Sequence, residues 1–146
     1  MRSNTRVKVV KGTAPVDANG AGASLTAAID TLGFNSMLVI TMFGVVSTAD
    51  FTAFLLTECD TSGGTYTTVT GTELAGADLP TAAGADGDIN LTFVNLGGAR
   101  KRYFKVGYTP PAGVSLISIC FVLFDGDIDP VTATQHGATW LQQVVA

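Results

Sequence analysis

An all-β chain, folded as an antiparallel β-sandwich or jelly roll with extended N- and C-terminal arms, is what this sequence predicts, on three observations. Short apolar runs rich in β-branched residues recur along its 146 residues. Clusters of Gly, Pro, Asp and Ser, such as TLGFN, DTSGG and TPPAG, divide those runs at the places where a chain reverses. No segment between them carries a helical period, so nothing supplies the crossover helices of a βαβ fold. The length suits one domain, able to bury roughly 68–70% of the surface its unfolded chain exposes.

The elements follow in chain order. Residues 1–22 begin MRSNTRVKVVKG, a basic stretch set off by Gly12, Pro15 and Gly20, and read as an N-terminal arm; alternation at Val7, Val9 and Val10 could instead add an edge strand to a neighbouring subunit's sheet. Residues 23–125 form the sandwich domain. Its first strand falls in 23–29. The second, SMLVITMFGV at 36–45, is apolar on both parities, so both of its faces need cover. A third spans 51–58 and a fourth 66–70, joined by DTSGG. A phosphate loop there would need Gly-Lys-Ser/Thr leading into a helix, and neither occurs, so the glycines mark a hairpin. Residues 73–88, ELAGADLPTAAGADGD, suit a long surface loop. Ile89, Leu91 and Phe93 alternate with Asp88, Asn90 and Thr92, which is the pattern of a half-buried strand with its apolar side inward and one wet face. Residues 101–108 supply another strand. VSLISICFVLF at 114–124 is the second strand apolar on both parities. Residues 126–146 form a C-terminal tail.

Chemistry-bearing motifs are thin, and no enzyme is expected. His136 is the one histidine, and no GxSxG or similar element sets a nucleophile beside a base. Asp125, Asp127 and Asp129 occupy the first three ligand positions of a calcium loop, but Pro130 stands in place of its glycine and His136 in place of its closing glutamate. A solvated acidic turn is expected there, with no metal and no cofactor. Cys59 and Cys120 read as buried free thiols, the alternative being a bridge between neighbouring strands. The longest apolar runs are too short for a spanning helix, and the basic N-terminus lacks the apolar core of a secretory signal, so no membrane partner is expected.

Charge layout carries more. Charged residues make up 14% of the chain against a usual ~25%, which suggests that some of the surface meets a partner. All eight basic residues sit in two groups, Arg2, Arg6, Lys8 and Lys11, and Arg100, Lys101, Arg102 and Lys105. A basic arm on a chain of net charge −4 fits an acidic protein surface better than nucleic acid. RKRYFKV has a second reading, an edge strand guarded against aggregation by its cations. Trp140 and Leu141, with Val144 and Val145, read as an apolar docking surface on a terminal arm, with a ligand-stacking role for Trp140 as the alternative.

FLLTECDTSGGTYTTVTG, the loop residues Asp78, Leu79 and Pro80, INLTFVNLGGARKRYFKVGYTPPAG and LISICFVLF together resemble small virion proteins of tailed bacteriophages, of the capsid cement or decoration type. The likeness covers residues 24–125; Tyr66 stands where similar sequences carry Trp, and both tails lie outside it. It implies a homotrimeric sandwich that sits on the capsid exterior, made in the host cytoplasm, and ties major capsid protein subunits together. On that reading the capsid-contact candidates are Arg2, Arg6, Lys8, Lys11, Trp140 and Leu141. Candidates for the oligomer interface are Met37, Val39, Phe43, Ile117, Ile119 and Phe121, from the two strands apolar on both faces. A carbohydrate- or host-surface-binding virion module, using residues 73–88 with Tyr103, Tyr108 and Trp140, is the alternative from another class. A tail or head-to-tail joining protein is the third.

Overall fold

A computed structural model of the chain describes residues 6–20, 22–46, 49–74, 78–82 and 86–127. Its strands, in chain order, are β1 (Lys8–Asp17), β2 (Ser24–Leu25), β3 (Ile29–Asp30), β4 (Phe34–Val46), β5 (Ala53–Cys59), β6 (Thr67–Thr68), β7 (Ile89–Asn95), β8 (Tyr103–Thr109) and β9 (Ser115–Gly126). Among the described residues there is no α-helix, and no helix is long and apolar enough to cross a membrane.

Two antiparallel sheets result. One is ordered β1-β9-β4-β7; the other runs β2-β8-β5-β6, with β3 also on β8. Ser24 and Leu25 face Tyr108 and Gly107, and Ile29 and Asp30 face Phe104 and Tyr103, so β2 and β3 are two halves of one edge strand. Thr26 fills the gap between them, its Oγ1 accepting the Val106 N–H at 3.1 Å. The sandwich class expected from the sequence is therefore the one found.

The core lies between the sheets. Met37, Val39 and Phe43 of β4 and Ile117, Ile119, Phe121 and Leu123 of β9 point inward and meet Phe54, Leu56, Phe104 and Val106 of the second sheet. Phe43 packs edge-on against Phe51 and Phe54, with ring centroids 5.5 and 5.9 Å apart. Each such side chain contributes about 1.5–3 kcal/mol when withdrawn from water.

Two segments differ from expectation. The basic stretch is not an arm from Lys8 onward: it is β1, the edge strand paired with β9 from Lys8 opposite Leu123 to Asp17 opposite Leu116. Val10 packs on the core from that strand, and Gly12 lets it approach closely, since a Cβ there would lie 2.5 Å from the Phe121 ring. The long loop before β7 is tied down along its described parts. Leu74 bridges to Phe54, the Phe51 N–H donates to the Pro80 carbonyl at 3.0 Å, the Ala82 N–H to Asp50 Oδ1 at 2.9 Å, and the Gly87 N–H to the Phe43 carbonyl at 3.0 Å.

Candidate functional site

The hairpin reading of DTSGG holds. Thr57 and Glu58 of β5 pair with Thr68 and Thr67 of β6. Gly64 donates its N–H to the Thr61 carbonyl at 3.2 Å, and a Cβ on it would come within 2.6 Å of both Thr61 Oγ1 and Cys59 Sγ. Close approach is therefore what calls for glycine there; Gly63 and Gly64 are not among the positive-φ residues. Cys59 and Cys120 are both free, and they lie on different sheets, β5 and β9, which removes the bridge alternative.

The second basic group is engaged within the chain. Arg102 donates from Nε and Nη2 to the two carboxylate oxygens of Asp30 at 2.8 and 2.6 Å. Those bonds hold the Asp30 carboxyl below the usual carboxylate range, with the Lys8 charge adding a smaller push the same way. Buried Glu58 accepts the Lys101 N–H at 3.1 Å and pairs with Arg100 at 3.5 Å. Lys105 Nζ stands 4.3 Å from the centre of the Tyr66 ring. Of the N-terminal cations, Lys8 is half-buried while Lys11 is exposed on the outer side of β1. Arg2, Trp140 and Leu141 lie outside the described residues, as do Asp129 and His136. Asp125 and Asp127 are exposed.

The six oligomer-interface candidates need correction. Met37, Val39, Phe43, Ile117, Ile119 and Phe121 are all buried in the chain's own core, each no more than 5% exposed. Strand alternation is the reason: both strands are apolar on both parities, as expected, and the second sheet already covers this parity. The other parity faces away from the core, and with it a surface the sequence reading missed.

That surface is the outer face of β1-β9-β4-β7, and its register can be followed row by row. Val9 opposes Val122, Val122 opposes Leu38, and Leu38 opposes Phe93. The next row is Lys11, Cys120, Ile40 and Leu91; the third is Ser118, Met42 and Ile89. On β7 the expected orientation is reversed. Ile89, Leu91 and Phe93 are 62%, 51% and 70% exposed, whereas Asn90 and Thr92 turn inward, opposite Thr41 and Val39. A one-residue change of register would exchange the two sets. Thr92 Oγ1 donates to Asn90 Oδ1 at 3.2 Å, but Thr41 Oγ1, wholly buried, has no hydrogen-bond partner. Here the strand keeps polar groups toward the interior and apolar ones toward the outside.

Of the aromatics considered for glycan binding, Tyr103 and Tyr108 do not come together, and Trp140 lies outside the described residues. Tyr103 opposes Cys59 and Tyr108 opposes Phe54, five residues apart on β8 and hence on opposite faces, with Tyr108 buried in the core. Shallow hollows open among the described residues. One, about 320 Å³, is bordered by Pro15, Val16, Met42, Gly44 and Leu116; another, about 260 Å³, by Leu79, Pro80, Asp88 and Asn90. Among the described residues, no group of three or more His, Cys, Asp or Glu side chains is placed to hold a metal ion.

No family model and no curated protein matches the chain. Among solved structures it is similar to the PBSX exported protein XepA, with a TM-score of 0.55 and 17% sequence identity. The similarity covers 100% of this chain and 46% of that one, so this chain spans a little under half the length of its structural neighbour. At that identity the likeness is one of fold.

Proposed function

We propose that the protein is a non-enzymatic structural component of a phage particle. It associates with copies of itself and binds the outside of the capsid lattice, stabilising it as a cement or decoration protein. The observation that carries this reading is the apolar outer face of β1-β9-β4-β7, where Phe93, Ile89, Leu91 and Met42 stand exposed in the single chain. A surface of that kind is used by covering it, and an assembly covers it. The resemblance of residues 24–125 to phage cement proteins supplies the setting, and the sandwich shared with the PBSX exported protein is compatible with it.

The contact to the lattice is adhesive. Lys11, exposed on β1, and Arg2 ahead of it offer positive charge to an acidic lattice surface, on a chain whose pI is about 4.6. Co-sedimentation of the purified protein with capsids lacking it, across a salt series, tests the reading. Binding that weakens with salt is expected, and Arg2→Ser with Lys11→Ser lowers both the affinity and its salt dependence. Absence of co-sedimentation at every salt concentration rejects the capsid role.

A further inference from the structure

We infer that the outer face of the β1-β9-β4-β7 sheet is the surface through which two copies of this chain pack, face to face, about a two-fold axis. The inference rests on the self-association in the proposed function and not on the capsid as its target.

Three observations select a second copy as the occupant. The first is reversed alternation. Ile89, Leu91 and Phe93 point outward while Asn90 and Thr92 point inward beside the unpartnered Thr41 hydroxyl of β4, an arrangement unfavourable on both sides of the sheet for an isolated chain. Burial of the outer side removes the part of that penalty that comes from exposed apolar side chains. The second is charge. Along the three cross-strand rows, Lys11 at the rim is the single charged residue. An apolar sheet face with a single charge at its rim is matched by another such face, and each copy carries one. The outer side of the opposite sheet differs, since Lys105 and Arg102 stand there over the Tyr66 and Tyr103 rings. The third is size. The eleven positions of the three rows, about 6.8 Å apart along strands about 4.8 Å apart, cover a plane of roughly 360 Å². With side-chain relief added, each copy approaches the roughly 600 Å² per partner at the lower bound of a specific interface.

The geometry is that of a sandwich closed between subunits, with the two faces about 10 Å apart and their strands within about 30°. A face that meets its own copy is isologous, so it generates pairs. This differs from the homotrimer that the family resemblance implies, and solution mass separates the two. Phe93, the most exposed large apolar residue, and Leu91 beside it on the middle row are the anchors. Cys120 lies in that middle row next to Ile40, so pairing closes off its thiol, while Cys59 is already buried within the chain.

The test is the mass of the purified protein by light scattering over a micromolar concentration series, together with the rate of Cys120 labelling by a maleimide. A two-copy species is expected, with labelling that slows as concentration rises. Leu91→Asp with Phe93→Asp raises the dissociation constant by roughly a hundredfold or more, and labelling becomes independent of concentration. Because both side chains are more than half exposed, the double variant retains its unfolding transition; Ile89→Ser with Leu91→Ser is the milder pair should the aspartates perturb the strand. A monomeric wild-type protein overturns the inference. So does an oligomer that survives both pairs of substitutions, or a trimer. A protein that pairs but does not bind capsids keeps the inference and removes the capsid reading; a monomer that binds capsids does the reverse.

Discussion

Thr41 shows how one atom reports on a whole sheet. Its hydroxyl is buried without a partner, opposite Ile119 and Asn90, because β4 turns Met42 and Ile40 outward on either side of it. Replacing it with valine keeps the shape and removes the unsatisfied group. Thr41→Val is expected to stabilise the fold by about 1 kcal/mol, read as a shift in denaturant midpoint; a loss of stability would mean the hydroxyl has a role in the interior. Gly12 marks the opposite kind of sensitivity. The Phe121 ring and the Ile119 carbonyl leave no room for a Cβ, so Gly12→Ala is expected to cost about 1–3 kcal/mol in the same measurement. Asp30 carries the acid response. Its carboxyl is held low by the Arg102 hydrogen bonds, so its contribution is present above the ordinary carboxylate pKa and is lost as pH falls through the depressed folded value. Asp30→Asn is expected to flatten stability against pH on the acid side alone, and an unchanged acid limb would contradict the assignment.

At the scale of elements, the strands were legible where composition decides and unreadable where direction decides. β4, β5, β8 and β9 fall close to their expected positions because apolar, β-branched runs bounded by turn residues have few other ways to be buried. The hairpin at Asp60–Gly64 was legible for the same reason. β7 was found in place but reversed, since alternation defines two faces without saying which is covered, and its neighbour β4 is apolar on both. The interface candidates on β4 and β9 fell on the wrong parity for that cause. A basic stretch followed by Gly12, Pro15 and Gly20 reads as an arm or as an edge strand lent to a neighbour; register with β9 puts Val10 inside and Val9 and Lys11 outside in the chain's own sheet, a choice of partner that alternation alone does not make. Removal of residues 1–11 therefore takes Lys8, Val9, Val10 and Lys11 out of the ladder. It is expected to lower stability by about 2 kcal/mol or more in chemical denaturation, and a truncated chain as stable as the full one would show that β1 contributes nothing to the sandwich.

The whole molecule joins a closed core to an open face. One side of the β1-β9-β4-β7 sheet is filled by the second sheet of the same chain, and the other carries a comparable apolar surface outward. The central claim is that this outer face is buried when the protein takes its place on a phage capsid. An electron cryo-microscopy map of capsids reconstituted with the purified protein tests it most directly. The account predicts density for the sandwich on the outside of the shell, with the Phe93, Leu91 and Ile40 face covered by another copy. Shells without added density, or sandwiches bound with that face open to solvent, would contradict it.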